Sequence, residues 1–424
     1  MGRRRCVFRI GLAVLVLVLS AHTALGAGFA LYEGSARANA LGGTLVGRAD
    51  DPSALFYNPA GITQLPEWQV MAGATAIRPK SDVVTTSVAT NTRSETKTHL
   101  WVSPHFYSTC QCTETVWFGL GAFSRFGLGT EFDETWPGRY NYYKGVIQTL
   151  TVNPNVAFKV SEGLSLAAGA SWMWFDLTLE QKIDAGAIWG SPGALDVDQS
   201  LTGDGNRSGY GFNLALHYRA FKWMSLGMSY VSQVEQKIEG DADFSRPPGI
   251  SAGLFQDTKA SGQIRLPDMV FMGLVFYPVD HLSLEIDGMW TRWSTYDQFT
   301  VNYEDSILPG LHRVTQNKDW NDVWRLQLGA EYQALDWLDL RLGFVRDNSP
   351  IPADTADYLV PSDDRHVYAM GCGLHRGPWT GDLSYSYVDS ENRLVAARPD
   401  EGVLDARFEN GHAHMFALSV SCRF

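Results

Sequence analysis

Two nested periodicities restrict what this chain can fold into. Downstream of Trp68, segments of about ten to fifteen residues alternate apolar with polar side chains, and the connections between them alternate short with long. In the last segment Phe416, Leu418, Val420, Cys422 and Phe424 fall on one side of an extended chain, and Ala417, Ser419, Ser421 and Arg423 on the other. The same rule sets Leu150, Val152, Val156 and Phe158 against Thr149, Thr151, Asn153 and Asn155. It sets Leu338, Leu340, Leu342 and Phe344 against Asp339, Arg341, Gly343 and Val345. Ser161-Glu162-Gly163, Ala220-Phe221-Lys222, Leu335-Asp336 and Arg376-Gly377-Pro378 are tight turns; residues 182–207, 240–260, 303–320, 348–364 and 393–410 are long connections. Strands with one face for lipid and one for a lumen, short turns at one end and long loops at the other, specify an all-β, antiparallel outer-membrane barrel of about fourteen strands. An even count returns both chain ends to the periplasmic rim.

A mean hydropathy of −0.14 does not oppose this, because every second residue of a barrel strand faces the lumen. After the N-terminus no apolar run reaches the roughly eighteen residues of a spanning helix. Residues 1–26 read as a cleavable export signal, with Arg3, Arg4, Arg5 and Arg9 before an apolar run and Ala24-Leu25-Gly26 at the cleavage site. Its removal takes away four arginines and no acid, so the formal balance moves from −12 to −16. An acidic surface without basic clusters excludes nucleic acid as a partner. Cys110-Gln111-Cys112 sits in a periplasmic turn and is too sparse for a zinc site; no metal and no cofactor is expected.

Residues 27–66 differ from both neighbours: small side chains, Gly42-Gly43 and almost no alternation before the barrel begins at residue 67. Bore grows with strand number, and about fourteen strands would leave an aqueous leak unless something fills it. A compact glycine-rich segment tethered ahead of the barrel is suited to serve as an internal plug, or hatch. Within it Asn58-Pro59-Ala60-Gly61 forms a rigid turn, since proline fixes its own φ and moves Asn58 out of the helical region. The sharper reading makes Asn58, Pro59, Ala60 and Gly61, with Phe29, the gate.

Aromatics collect near strand ends: Trp172 and Trp174, Trp290 and Trp293, Trp320 and Trp324, Tyr385 and Tyr387. They suit interfacial girdles in contact with the bilayer and lipopolysaccharide. The terminal Phe424 fits an outer-membrane strand end read by the outer-membrane assembly machinery of a Gram-negative cell. The chain is expected to act as a monomer.

Several stretches resemble the FadL-type outer-membrane transporters of long-chain fatty acids and other hydrophobic compounds. They are Ala27-Gly28-Phe29, Asp50-Asp51 before Asn58-Pro59-Ala60-Gly61, Phe126-Gly127-Leu128-Gly129-Thr130-Glu131-Phe132, Asp347-Asn348-Ser349-Pro350-Ile351-Pro352, Pro361-Ser362-Asp363-Asp364-Arg365 and the closing Phe424. The resemblance implies fourteen strands around a hatch, with a kink in the third strand beside the Asn-Pro-Ala turn. It also implies passive, gated diffusion with lateral exit into the membrane. Gly119, Gly121, Phe123 and Gly127 are the residues expected to shape that kink, glycine in a strand marking a bend or a close backbone approach.

A fatty acid needs an apolar groove and a cation. Ile188, Trp189 and Leu195 in one loop and Phe244, Leu254 and Phe255 in the next are expected to face each other across such a groove. Lys182 and Lys318 fall near the positions of the family's basic ligand residues. Arg365 shares a face with Val367, Ala369 and Gly371 and so points inward. A neutral aromatic or alkane would need none of the three. The competing class, a lipase-like outer-membrane enzyme, lacks a G-x-S-x-G nucleophile, and the ten histidines are scattered. The expected function is transport, not catalysis.

Overall fold

The computed structural model describes residues 28–86, 90–188 and 190–424; the expected export signal lies outside them. Among the described residues fourteen antiparallel strands close into one barrel. They are β1 (Trp68–Thr86), β2 (Asn91–Glu95 with Trp101–Gln111), β3 (Val116–Phe123 with Gly127–Glu131), β4 (Lys144–Lys159) and β5 (Leu164–Asp184). Next come β6 (Asp196–Asp204 with Tyr210–Phe221), β7 (Met224–Val231 with Val234–Ser245), β8 (Thr258–Leu266 with Met269–Val279) and β9 (Leu282–Thr291 with Gln298–Tyr303). The circuit ends with β10 (Arg313–Asn317 with Val323–Leu335), β11 (Leu338–Asp347), β12 (Arg365–Arg376), β13 (Trp379–Ser390 with Arg393–Val395) and β14 (Asp405–Arg423), which pairs back onto β1. Closure pairs each strand with both neighbours, as main chain in hydrocarbon requires, with an interruption between β2 and β3.

The alternation sorts the two faces. Phe416, Leu418 and Val420 are exposed outward while Ala417 and Ser419 are buried inward. The long connections are not loops throughout: β5 runs to Asp184 and β7 to Ser245, so the sheet extends above the apolar band. Trp68, Trp223, Trp337, Trp379 and Phe424 stay exposed around the periplasmic rim, and Trp172 and Trp324 on the outer wall. Trp293 and Trp320 are not girdle residues. Both are buried in the bore, edge to face at 4.9 Å, because the chain turns inward at Trp293–Thr295.

Ahead of β1 the leading segment carries two short helices, α1 (Ala36–Ala40) and α2 (Ala54–Tyr57), then a 3₁₀ turn over Pro59–Gln64. The ring of strands encloses it. Its hydrogen bonds reach Tyr107 of β2, Trp117 of β3, Ser165 of β5, Leu216 of β6, Asp287 of β9 and Ser419 of β14. At Gly343 of β11 a Cβ would stand 2.1 Å from the Gly42 nitrogen, so wall and segment meet backbone to backbone.

An outward arginine at barrel mid-height should be costly. Leu418→Arg is expected to lower refolding stability in vesicles by about 2–4 kcal/mol, with Leu418→Ile close to wild type in the same denaturant titration.

Candidate functional site

Strand β3 is interrupted at residues 124–126. Below the break it pairs with β2 up to His105 opposite Phe123; above it, Gly127–Glu131 forms a ladder with β4 and none with β2 among the described residues. The donors and acceptors freed by the break are met from two sides. On one side Thr149 of β4 inserts its hydroxyl, accepting from Phe126 N at 3.2 Å and donating to Phe126 O at 2.6 Å. On the other the leading segment supplies main chain. Leu31 N donates to Arg125 O at 2.8 Å and Gly127 N to Phe29 O at 2.8 Å, around an antiparallel bridge between Ala30 and Phe126. Residues 29–31 thus act as a short strand completing the wall where β2 has separated from β3.

Of the expected kink residues, Phe123 and Gly127 bracket the break. Gly119 and Gly121 do not bend the strand; both lie within the regular run Val116–Phe123. A Cβ at Gly119 would lie 2.4 Å from Leu55 Cδ2, so this glycine makes room for the leading segment. Asn58 does not cover the broken pairing either. Its amide donates to Val46 O at 2.8 Å and to Leu216 O at 3.0 Å, and its Oδ1 accepts from Ala60 N at 3.2 Å, on the side of β6. Pro59 of this turn, with Leu55 and Phe56 of α2 just before it, comes under the break, Phe56 at 4.9 Å from Phe123. Ala60 and Gly61 pack inside the segment, where a Cβ on Gly61 would strike Ala49. Phe29 is held in an aromatic cage, 4.8 Å from Trp293, 5.6 Å from Trp320 and 5.7 Å from Tyr296.

The opposite half of the segment is held by charge. Asp287 accepts from Leu45 N and Val46 N at 3.1 Å, and Glu285 from Gly47 N at 2.7 Å and Arg48 N at 3.1 Å. Buried Arg48 lies between Glu285 at 3.4 Å and Glu331 at 3.6 Å. Arg37 bridges Glu331 at 2.8 Å and Asp50 at 2.6 Å. Arg341 joins Glu331 at 2.6 Å and Asp382 at 2.5 Å. Burial raises the Asp51 carboxyl, with Arg37 pulling it back. Charge-assisted bonds to main-chain N–H groups are among the stronger kinds. Period-two alternation flags Glu285 and Asp287, two acids on the lumen face alternating with outward Leu284 and Ile286; their main-chain partners carry no such signal.

The basic candidates are already paired. Lys182 bonds Asp198, and Arg365 bonds Asp347, which also holds Arg325 at 2.8 Å. Lys318 is buried at 2.5 Å from Asp357 and donates to Gln316 at 3.1 Å. The expected groove is closed. Leu195, Phe244, Leu254 and Phe255 pack into one cluster with Tyr303 and Ile307, Phe244 and Phe255 at 6.1 Å, because loop side chains satisfy one another more readily than they face an open channel. Ile188 is half exposed away from it, and Trp189 lies outside the described residues.

The family described as "Outer membrane protein transport protein (OMPP1/FadL/TodX)" matches residues 17–424. The chain belongs to this family. Its relatives include the long-chain fatty acid transport protein of Escherichia coli K12, 25% identical over all of both chains. Another is outer membrane protein P1 of Haemophilus influenzae, 23% identical over 98% of this chain and 99% of that one. Among solved structures, a Pseudomonas aeruginosa FadL homologue covers 94% of this chain and 100% of its own at a TM-score of 0.80 and 21% identity. The Pseudomonas putida toluene transporter TodX covers 93% and 99% at 0.69 and 18%. Barrel and family together locate the chain in the outer membrane of a Gram-negative cell.

Removing the acidic clasp should loosen the segment without unfolding the wall. Glu285→Ala with Asp287→Ala is expected to raise sensitivity to a bulky polar antibiotic at least fourfold, while the heat-modifiable gel shift of the folded barrel persists.

Proposed function

We propose that the chain carries hydrophobic compounds, most simply long-chain fatty acids, passively across the outer membrane, and that residues 27–66 are a hatch regulating a sideways exit between β2 and β3. The observation that carries this reading is the wall break whose hydrogen bonds are taken by residues 29–31 of the chain's own leading segment. A barrel has no need to separate adjacent strands and re-cover them from inside unless the cover can leave. The two halves of the hatch are held unequally. Toward β9 and β10 it is anchored by ion pairs and carboxylate bonds from Glu285, Asp287 and Glu331; toward β3 it is held without an ion pair among the described residues, by two main-chain bonds, by Trp117 and Arg125 donating to Leu65 O and Phe56 O, and by apolar packing. The β3 half therefore releases at lower cost, and an apolar cargo spreading between Phe56 and Phe123 restores the packing that opening removes.

A second reading, a neutral aromatic or alkane cargo, is favoured by one observation. Lys182, Lys318 and Arg365 all hold aspartates, so none is free for a carboxylate. The names of relatives support both cargoes, since one carries long-chain fatty acids and a solved neighbour toluene.

A tether tests the gate. Ala30 and Phe126 are a non-hydrogen-bonded antiparallel pair, the closer of the two pair geometries and one compatible with a disulfide. In a background with Cys110 and Cys112 changed to Ser, Ala30→Cys with Phe126→Cys should lose at least nine-tenths of its uptake of radiolabelled oleate or toluene on oxidation and regain it with reductant. Uptake indifferent to oxidation would refute the gate.

A further inference from the structure

Among the described residues, a buried arginine of the bore has no counter-charge. Arg125 lies in the break of β3 and is 5% exposed. Its guanidinium rests over Phe56 at 4.2 Å, with Phe123 at 5.0 Å and Phe271 at 5.7 Å. Nη2 donates to Phe56 O at 3.1 Å; Nη1 is buried without a partner, and no carboxylate pairs with the residue among those described. The other bore arginines behave differently: Arg37, Arg48, Arg325, Arg341 and Arg365 each hold at least one acid. A buried ion stripped of water and left unpaired is costly, and a chain that pairs five such groups does not leave a sixth bare by composition alone.

Two further orphan groups face the same space. The hydroxyls of Thr151 and Ser229 are buried, lack a partner, and line the cavity that Arg125 lines. Neighbouring Asn153, Asn155 and Asn213 are satisfied among themselves in a ring of amide bonds of 2.7–2.8 Å. What is missing here is therefore an acceptor with two oxygens, facing a guanidinium N–H and two hydroxyl donors. With Phe56 and Pro59 in place the cavity holds about 20 Å³, room for about one water. The rest of its wall is mostly apolar, including Leu55, Phe126, Met173 and Val234, with the hydroxyls of Ser171 and Ser232.

We propose that this cavity is a carboxylate site, in which Arg125, Thr151 and Ser229 receive the head group of a long-chain fatty acid once Phe56 and Pro59 withdraw, immediately before exit at the break. The inference rests on the transport reading and sets its cargo class. Binding one anion also replaces the cation–π contact that Phe56 makes when the hatch is shut, so arrival of the head group and release of the hatch are the same exchange.

The test is uptake of radiolabelled oleate and of toluene by cells that make the full chain and lack their own carriers, with the heat-modifiable gel shift as the measure of folding. Arg125→Met is expected to lower the ratio of oleate to toluene uptake at limiting concentration at least tenfold; Arg125→Lys should recover a fraction of that ratio. Thr151→Val with Ser229→Ala, which keeps the guanidinium in place, is expected to lower oleate uptake three- to tenfold and spare toluene. Equal loss of both substrates, or no loss of oleate in either variant, overturns the assignment. Wild-type chain that carries toluene but not oleate overturns the carboxylate site and leaves the transport reading standing. Wild-type chain that carries neither removes the transport reading and this site with it.

Discussion

A main-chain group in hydrocarbon has nowhere to find water, and the rest of this structure depends on how that constraint is met at one place. Around the rest of the ring strand pairing and closure of β14 on β1 meet it. At residues 124–126 the wall gives up its ladder to β2, and the missing partners come from Phe29 and Leu31 on one side and Thr149 on the other. The bore is therefore more than filled. The segment within it is a structural component of the wall, bonded where a neighbouring strand would otherwise be.

From that follows the division of labour inside the segment. An element that completes the wall at one edge must be positioned from the opposite edge, and the acids of β9 and β10 do this through main-chain N–H groups and two arginines. Main-chain recognition fixes the position of a glycine-rich stretch that has few side chains to grip. The same arrangement leaves Arg125 enclosed by aromatic rings and without an acid among the described residues.

Much of the architecture was legible in the residues because a barrel writes itself into period two. Phe416, Leu418 and Val420 against Ala417 and Ser419 decide which face meets lipid, and the turn at Ser161-Glu162-Gly163 decides which end is short. What misled was the side on which irregular residues fall. Trp293 and Trp320 look like girdle residues because they stand near strand ends, yet a three-residue 3₁₀ turn carries them inward to Phe29. Gly119 and Gly121 look like hinges, yet the first answers to Leu55, a contact between residues sixty-four positions apart that no local pattern records. The break itself falls on Ser124-Arg125-Phe126, which carries no glycine or proline. There residues 29–31 occupy the edge that β2 leaves while Thr149 of β4 meets Phe126 on the opposite edge, contacts between residues far apart in sequence that no local pattern records.

The most direct test of the central claim is the amide exchange rate of Gly127, resolved by NMR in detergent or lipid. The account predicts that this N–H is protected in the intact chain and exchanges at least a hundredfold faster when residues 28–34 are removed, while Val152, inside the β3–β4 ladder, keeps its protection. Equal protection of Gly127 in both forms would contradict it, because the wall would then be complete without the segment said to complete it.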